Sequence, residues 1–176
     1  MLAPKVAVEL GSLSGYSAIH LAAGMADTGE QSELHLVDLW EDYPYQTCPK
    51  AVAEENLSRN GLLNNEVVSV SFHQVAAKDA AENFRDRTVE LLHVDLSNNG
   101  ADLQDVVSEW FRKLKPGAMI CFEGGSVERD AVDWMKHYEK VPIQDFIKSK
   151  WFRDRFTHTV VSPFPSMTIA TKKVRK

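Results

Sequence analysis

Acidic side chains and glycines follow several short apolar runs of this sequence, at points where a ligand could bind. The first such run begins at Val6. The segment Glu9–Ser17, which overlaps the end of this run, carries glycines at positions 11 and 15. Asp38, Asp95 and Glu123 close later runs. Carboxylates at such points can accept hydrogen bonds from ligand hydroxyl groups, take up a proton or coordinate a cation. The chemistry that these residues can perform therefore depends on whether the fold brings them to the same edge of a sheet.

The segment Glu9–Ser17 has the composition of a ligand-binding turn between a strand and a helix. Gly11 and Gly15 allow the backbone to turn sharply and approach a ligand, and the start of the helix offers free amide donors. A dinucleotide fingerprint also needs a glycine between them, so that the backbone can approach a pyrophosphate. Ser12-Leu13-Ser14 contains none. The pattern therefore disfavours NAD, while an ordinary glycine-containing turn stays open as an alternative.

The elements that must position these residues follow from hydrophobic periodicity. Short apolar runs alternate with longer segments of helical period, which predicts parallel strands connected by helices. The predicted strands are Val6–Leu10, Leu34–Leu39, Val67–His73, Leu91–Asp95 and Ala118–Glu123. The predicted helices are Gly15–Ala26, Pro49–Asn60, Ala77–Phe84, Ala101–Leu114, Val127–Tyr138 and Gln144–Trp151. Lys115-Pro116-Gly117 is predicted as the turn that leads into the fifth strand.

Two β-rich runs at the C-terminus, Phe156–Ser162 and Met167–Thr171, are joined by Pro163-Phe164-Pro165. This link is too short for a helical crossover, so the two runs are predicted to pair as an antiparallel hairpin. The expected fold is α/β, with a Rossmann-like, seven-stranded, mostly parallel sheet, a C-terminal antiparallel hairpin and helices on both faces. Ligands of such sheets bind at the carboxyl ends of the parallel strands, where the acidic residues should meet.

Length and charge limit the class of protein. A chain of 176 residues with 44% hydrophobic content suits one domain, predicted over residues 1–176. The net charge of -5 argues against broad nucleic-acid binding and favours a small-molecule partner. No apolar run reaches the roughly 18 to 20 residues of a membrane span, and a signal-peptide pattern is missing from the first residues. A cytoplasmic protein without membrane contact is therefore expected.

These residues resemble a known family, the class I S-adenosylmethionine-dependent methyltransferases. Val8-Glu9-Leu10-Gly11 and Gly15-Tyr16-Ser17-Ala18 are similar to motif I of that family. The resemblance is strongest to the catechol O-methyltransferase-like branch of small-molecule O-methyltransferases, which also lacks the middle glycine. It continues through Asp38, Val94-Asp95 and the final hairpin. It implies S-adenosylmethionine as the cofactor and a small, hydroxylated methyl acceptor.

The resemblance also implies roles for individual residues. Glu9, Gly11 and Ser17 would lie near the methionine part of the cofactor, Asp38 would bind the ribose hydroxyls, and Asp95 would lie beside the methyl donor. The end of the third strand could line the adenine by position, although a plain loop there stays open. The predicted cofactor-binding set is Glu9, Gly11, Ser12, Gly15, Tyr16, Ser17, Asp38, Leu39, Gln74, Val75 and Asp95.

Asp95 and Glu123 are the predicted catalytic residues, because both close strands at the cofactor edge. In metal-dependent members of the family, the aspartate that matches Asp95 joins an Asp-Asp or Asp-Asn pair to hold a divalent cation. Here that pair is replaced by Glu123-Gly124, so Asp95 and Glu123 alone would hold Mg²⁺ weakly. The stretch after Asp95 also lacks the lysine or histidine that often serves as a base. Asn98 and Asn99 either bind a polar substrate or cap a helix.

The chain begins a few residues before the first strand, so the predicted domain lacks the N-terminal lid of related enzymes. The aromatic segments Trp40–Tyr45 and Phe146–Phe152 either cover the site instead or pack against neighbouring helices. A second copy of the chain is a further possible partner, with which it would form a homodimer. Two alternatives to a methyltransferase stay in view: a cofactor-binding domain without catalysis and an NAD-dependent oxidoreductase.

Overall fold

The computed structural model of the protein describes residues 3–45, 48–162 and 164–174. The chain divides into two compact units, Met1–Phe84 and Arg85–Lys176. The single domain over residues 1–176, without an N-terminal lid, stays a prediction. Within the described ranges, no helix is long and apolar enough to cross a membrane.

The first unit contains three parallel strands with the spatial order β3-β2-β1. These strands are β1 (Val6–Leu10), β2 (Ser32–Asp38) and β3 (Val68–Gln74). The α-helices are α1 (Tyr16–Ala26) and α2 (Lys50–Arg59), and short 3-10 helices cover Trp40–Asp42 and Asp79–Asn83.

The sequence of β1 agrees with its burial in this unit. Ala7, Val8 and Leu10 are all fully buried, and a strand covered on both faces has a continuous apolar run rather than an alternating one. Leu10 pairs with Val37, and Asp38 pairs with Gln74. The carboxyl ends of the three strands therefore lie side by side, which is where the predicted cofactor residues of this unit are found.

The second unit contains four strands with the spatial order β4-β5-β7-β6. They are β4 (Val89–Val94), β5 (Leu114–Glu123), β6 (Phe156–Val161) and β7 (Met167–Lys172). Strands β4 and β5 are parallel, whereas β7 is antiparallel to both β5 and β6. The helices are α3 (Gly100–Trp110), α4 (Val127–Asp130), α5 (Asp133–His137), α6 (Ile143–Lys148) and α7 (Lys150–Arg155).

The predicted fold class is confirmed: the sheet is seven-stranded and mostly parallel, with an antiparallel C-terminal hairpin. The predicted bounds of every strand except β5 agree with the structure to within two residues. Pro163, in the predicted link of the hairpin, lies outside the described residues.

The predicted turn at Lys115-Pro116-Gly117 is wrong, because these residues lie inside β5, which begins at Leu114. The pairing with β4 moves from Val89 with Leu114 to Leu91 with Met119, so β5 contains extra residues at this point. Gly117 has a φ angle of 83° in this irregular stretch. The proline and glycine therefore mark a bulge within a strand rather than its start.

Three predicted helices are also corrected. Ala77–Phe84 forms only a 3-10 helix over Asp79–Asn83, since a single short turn gains too few hydrogen bonds to stabilise an α-helix. Val127–Tyr138 is broken into α4 and α5 at Val132, whose backbone is extended. Gln144–Trp151 is broken at Ser149, whose side chain accepts a hydrogen bond from Phe152 N and so begins a second helix.

Candidate functional site

The backbone of the bend between β1 and α1 is held in a tight turn. Gly11 has a φ angle of 88°, and its N–H donates to the Val37 carbonyl at 2.8 Å. Gly15 has a φ angle of 79°, and a Cβ atom there would lie 3.2 Å from Leu57 Cδ1. Gly15 is therefore required twice, for its left-handed backbone and for the close approach of α2.

Asp38, at the end of β2, binds this bend directly. Its Oδ2 atom accepts a hydrogen bond from Leu13 N at 2.8 Å, and its Oδ1 atom accepts one from Trp40 N at 2.9 Å. The indole Nε1 of Trp40 donates to the Leu13 carbonyl at 2.9 Å. Both backbone polar groups of Leu13, its N–H and its carbonyl, are thus fixed by β2 and the residues after it, contacts that the sequence did not reveal.

Glu9 and Ser12 lie deeper than the rest of the bend. Glu9 is fully buried in β1, and Ser12 is almost fully buried. Tyr16 instead lies on the surface, 75% exposed, with its ring centroid 5.0 Å from that of His20. Ser17 is half-buried in the first turn of α1. The predicted role of Glu9 at the methionine part of the cofactor stays a prediction, as does its alternative role of bracing the turn.

The end of β3 is tied to the end of β2. Val75 N donates to the Asp38 carbonyl at 3.1 Å. The Gln74 amide donates to the Leu39 carbonyl at 3.4 Å and to Asp42 Oδ2 at 3.1 Å. Leu39, Gln74 and Val75 therefore lie at the same edge as the bend. The structure thus brings together all of the predicted cofactor residues that belong to this unit, whereas Asp95 belongs to the other one.

Helix α2 supplies a further contact that sequence reasoning missed. Asn56 Nδ2 donates to the Ser14 carbonyl at 2.9 Å, so α2 also holds the bend. A helical asparagine gives no signal by itself of the turn that it will contact.

Two of the titratable groups of the first unit, His73 and Cys48, have pKa values that burial shifts. Burial, followed by the neighbouring His35, lowers the pKa of His73, whose Nε2 atom lies 3.0 Å from His35 Nδ1. Burial, followed by the Asp38 carboxylate, raises the pKa of the Cys48 thiol. His73 is therefore engaged with another histidine on the sheet, which does not suit the role of a general base.

In the second unit, Asp95 and Glu123 follow neighbouring strands. Val94 pairs with Phe122, so the two acidic residues occupy the next position of each strand. Asp95 is exposed, and Glu123 is half-buried. Arg129 Nε donates to Glu123 Oε1 at 2.8 Å, and Asn98 Nδ2 donates to Glu123 Oε2 at 3.2 Å. Both carboxylate oxygens of Glu123 are therefore engaged by protein donors.

The two asparagines after Asp95 have separate roles. Asn99 is the N-cap of α3, and its side chain accepts hydrogen bonds from Ala101 N and Val141 N, both at 3.2 Å. Asn98 instead contacts Glu123 and lines a small cleft. The cap reading is thus correct for Asn99, while Asn98 is available to a polar ligand.

The cleft of this unit lies at the carboxyl ends of β4 and β5. Its volume is about 10 Å³, which is room for roughly one water molecule or one hydroxyl group. The lining is mostly apolar, with Glu123 and two polar side chains: Val94, Leu96, Ser97, Asn98, Leu103, Phe122, Glu123 and Ile143. A ligand could therefore insert a polar atom here and leave its body outside.

The donor set of this unit does not fit a hard divalent cation. Mg²⁺ prefers near-octahedral coordination by several oxygen atoms. Within the described residues, no group of three or more His, Cys, Asp or Glu side chains could hold a metal ion. The Glu123 carboxylate also faces the buried guanidinium of Arg129, which would repel a second cation. No step of the mechanism is therefore assigned to a metal.

The aromatic segments do not form a cover as a whole. Trp40, Phe146 and Phe152 are at most 2% exposed and belong to the cores of their own units. Packing is thus the correct reading for these three residues. Tyr43 and Tyr45 are exposed, Tyr45 by 86%. The two tyrosines therefore stay available to contact a ligand.

Taken together, these features define a class of protein. A mostly parallel α/β sheet, a glycine-containing bend after β1 and a carboxylate after β2 are typical of Rossmann-like proteins that bind a nucleoside-containing cofactor.

Comparison with known families identifies the chain more closely. Residues 8–123, about two thirds of the chain, match the family described as a methyltransferase domain. The chain belongs to this family and is an S-adenosylmethionine-dependent methyltransferase. The match begins in β1 and ends at Glu123, the last residue of β5. A search of curated proteins finds no match.

Solved structures share the fold at low sequence identity. The O-methyltransferase TomG from Streptomyces achromogenes, involved in tomaymycin synthesis and solved with S-adenosylmethionine, is 16% identical with a TM-score of 0.68, covering 98% of this chain and 74% of its own. A SAM-dependent O-methyltransferase from Thermotoga maritima is 16% identical with a TM-score of 0.63. The match covers 98% of this chain and 60% of the Thermotoga chain. A protein from Clostridium thermocellum named as a candidate rRNA methylase is 16% identical with a TM-score of 0.68. The match covers 98% of this chain and 88% of the Clostridium chain.

The family match confirms the resemblance to S-adenosylmethionine-dependent methyltransferases, and the solved structures share their Rossmann-like fold. They give no support to the two alternatives, a domain without catalysis and an NAD-dependent oxidoreductase.

Proposed function

We propose that this enzyme transfers the methyl group of S-adenosylmethionine to an oxygen atom of a small hydroxylated molecule. The bend Glu9–Ser17 and Asp38 hold the cofactor in this proposal. The observation that carries it is the hydrogen bond from Leu13 N to Asp38 Oδ2, which ties the bend to the end of β2. The oxygen acceptor is supported by the names of the Streptomyces and Thermotoga neighbours, both O-methyltransferases.

Asp38 binds the ribose hydroxyls in this scheme. Each of its oxygens already accepts one backbone N–H, but a carboxylate has about four lone-pair sites. The two that remain can accept hydrogen bonds from a diol. Glu9, Gly11, Ser12, Gly15, Tyr16 and Ser17 surround the methionine part, and Leu39, Gln74 and Val75 surround the adenine.

Methyl transfer is a displacement at carbon. The acceptor oxygen attacks the methyl group opposite the sulfur, a C–O bond forms, the C–S bond breaks and S-adenosylhomocysteine leaves. The hydroxyl proton passes to a carboxylate, for which Asp95 and Glu123 are the proposed groups because they close neighbouring strands. The protein otherwise supplies alignment of the two reactants.

Calorimetry with S-adenosylmethionine, S-adenosylhomocysteine and NAD tests the cofactor half of the proposal. Binding of the first two and not of NAD is expected. The proposal fails if NAD binds and the adenosyl compounds do not, or if Asp38→Ala leaves their affinity unchanged.

A methyl-transfer assay tests the acceptor. The panel contains phenols, catechols, aliphatic alcohols and, because of the Clostridium neighbour, an rRNA fragment. Transfer to a small alcohol or phenol is expected. Transfer to the rRNA fragment alone would contradict the proposal of a small-molecule partner, which is supported by the net charge of -5.

Light scattering on the same preparation tests the further proposal of a homodimer.

A further inference from the structure

The cleft in the second unit combines apolar walls with one ionisable side chain. Leu96, Phe122 and Ile143 form part of its apolar lining, and Glu123 is the ionisable residue of that lining. Asp95 is exposed to solvent and does not line the cleft. The charge of a ligand in this cleft is therefore felt first by Glu123.

The charge of Glu123 is balanced from inside the protein. Arg129 is 3% exposed, and its Nε atom donates to Glu123 Oε1 at 2.8 Å. Its Cζ atom lies 4.5 Å from the centroid of the Trp134 ring, which adds a cation-π contact. The Nη1 atom of Arg129 is buried and has no hydrogen-bond partner among the described residues. The positive charge of the guanidinium is thus paired with the Glu123 carboxylate.

Two neighbouring groups, Asp130 and Asn98, do not alter this balance. The Asp130 carboxylate accepts hydrogen bonds from Ile143 N at 3.0 Å and Gln144 N at 2.9 Å, so it is turned toward the start of α6. Asn98 is neutral and donates to Glu123 Oε2 at 3.2 Å. The lining of the cleft consequently presents hydrogen-bond acceptors with little net charge.

We propose that Arg129 determines the charge of the methyl acceptor. By neutralising Glu123, it makes the cleft select an uncharged molecule with an apolar body and a hydroxyl group over analogues that carry an ammonium or a carboxylate. This inference rests on the proposed function, since it assigns the acceptor to this cleft.

The physical reason is the balance of hydrogen bonding and charge. Each oxygen of Glu123 has accepted one hydrogen bond and retains a lone pair. A ligand hydroxyl can donate to such a lone pair without bringing a charge into the site. An ammonium would lose hydration without facing a net negative charge, and a carboxylate would lose hydration without facing a net positive charge. The cleft volume of about 10 Å³ fits the hydroxyl group itself.

Three probes with the same ring and hydroxyl group test this proposal: 4-ethylphenol, tyramine and 4-hydroxyphenylacetate, which are neutral, cationic and anionic. Their binding is measured by NMR to protein saturated with S-adenosylhomocysteine, so no turnover is needed. Wild type should bind the neutral probe the tightest. Arg129→Gln should shift the preference toward tyramine, and Glu123→Gln should shift it toward the anionic probe, each by about tenfold as expected for a partly exposed charge pair.

The two substitutions act in opposite directions, so the proposal stays testable if one of them fails to fold. Arg129→Lys retains the charge and should retain the wild-type order of probes. Arg153→Gln makes the same chemical change at an exposed position of α7 and should have no effect on the order. Melting temperatures establish that each variant is folded.

The proposal is overturned if wild type binds the anionic or cationic probe tightest, or if neither substitution changes the order. It is also overturned if no probe binds at millimolar concentration, because the cleft would then not be an acceptor site. Failure of the proposed function itself is recognised separately, by the absence of S-adenosylhomocysteine binding in calorimetry.

Discussion

The Oδ2 atom of Asp38 accepts a hydrogen bond from the N–H of Leu13 at 2.8 Å, and so connects two residues that are 25 positions apart. Leu13 has a φ angle of 43°, an uncommon value for a leucine. The Asp38 carboxylate and the Trp40 indole hold its peptide unit on both sides. The residue proposed to bind ribose thus also sets the shape of the bend that is proposed to bind the rest of the cofactor.

Asp38→Asn is expected to weaken S-adenosylmethionine binding. An asparagine has one acceptor oxygen, so it cannot accept from both Leu13 and Trp40 and also receive a diol. Hydrogen bonds to a charged group contribute about 1.5 to 3 kcal/mol, which corresponds to a loss of about 10- to 100-fold in affinity. Calorimetry checks this, with the exposed Asp133→Asn as a matched control. Equal affinities in the two variants would remove Asp38 from the site.

Gly15→Ala and Gly29→Ala form a second test. Both glycines have positive φ angles, 79° and 70°, but only a Cβ at Gly15 would meet atoms within 4 Å. Backbone strain costs about 1 kcal/mol at either position, and crowding by α2 adds to it at Gly15. Thermal unfolding should show a larger decrease in melting temperature for Gly15→Ala, together with weaker cofactor binding. The prediction is wrong if Gly29→Ala is at least as destabilising.

The pKa of His73 predicts a pH dependence of stability. Burial and His35 lower this pKa in the folded protein, so the unfolded chain, whose histidines titrate near about 6.5, binds the proton more readily. The contribution is fully present above that pH and is lost as the pH falls through the lower folded pKa. Its slope cannot exceed about 1.4 kcal/mol per pH unit, because a single imidazole exchanges at most one proton.

Urea unfolding between pH 5 and pH 8 measures this slope. His73→Gln should flatten the dependence, whereas the exposed His20→Gln should not. Identical slopes for wild type and His73→Gln would contradict the assignment.

Cys48 reports on the charge of Asp38. Burial is the larger cause of its raised pKa, and the Asp38 carboxylate is the smaller one. Because the thiolate is the reactive form, Cys48 should alkylate slowly at pH 8. Asp38→Asn should raise the rate, because removing the carboxylate charge lowers the pKa of the Cys48 thiol and so increases its thiolate fraction. Mass spectrometry of iodoacetamide-treated protein follows Cys48, with Cys121 as an internal reference, and an unchanged rate would show that the two groups do not interact.

Much of the fold could be predicted from the sequence, because the signals involved are local. The apolar run of β1 and the short link between β6 and β7 each specify their structure within a few residues. The errors have a common cause. Lys115-Pro116-Gly117 interrupts regular pairing whether it lies before a strand or within one, and only the pairing of β5 with β4 shows that it is a bulge. The break of Val127–Tyr138 depends in the same way on what α4 and α5 contact.

The sequence by itself determined the succession of strands and helices along the chain, the bend Glu9–Ser17 and the acidic residues that close the strands. It did so because periodicity and turn chemistry are properties of neighbouring residues. Only the tertiary structure decided what those acidic residues contact. Leu13 joins Asp38 and Arg129 joins Glu123 through hydrogen bonds whose geometry depends on packing, and no periodic pattern encodes the distance between two side chains that a fold brings together.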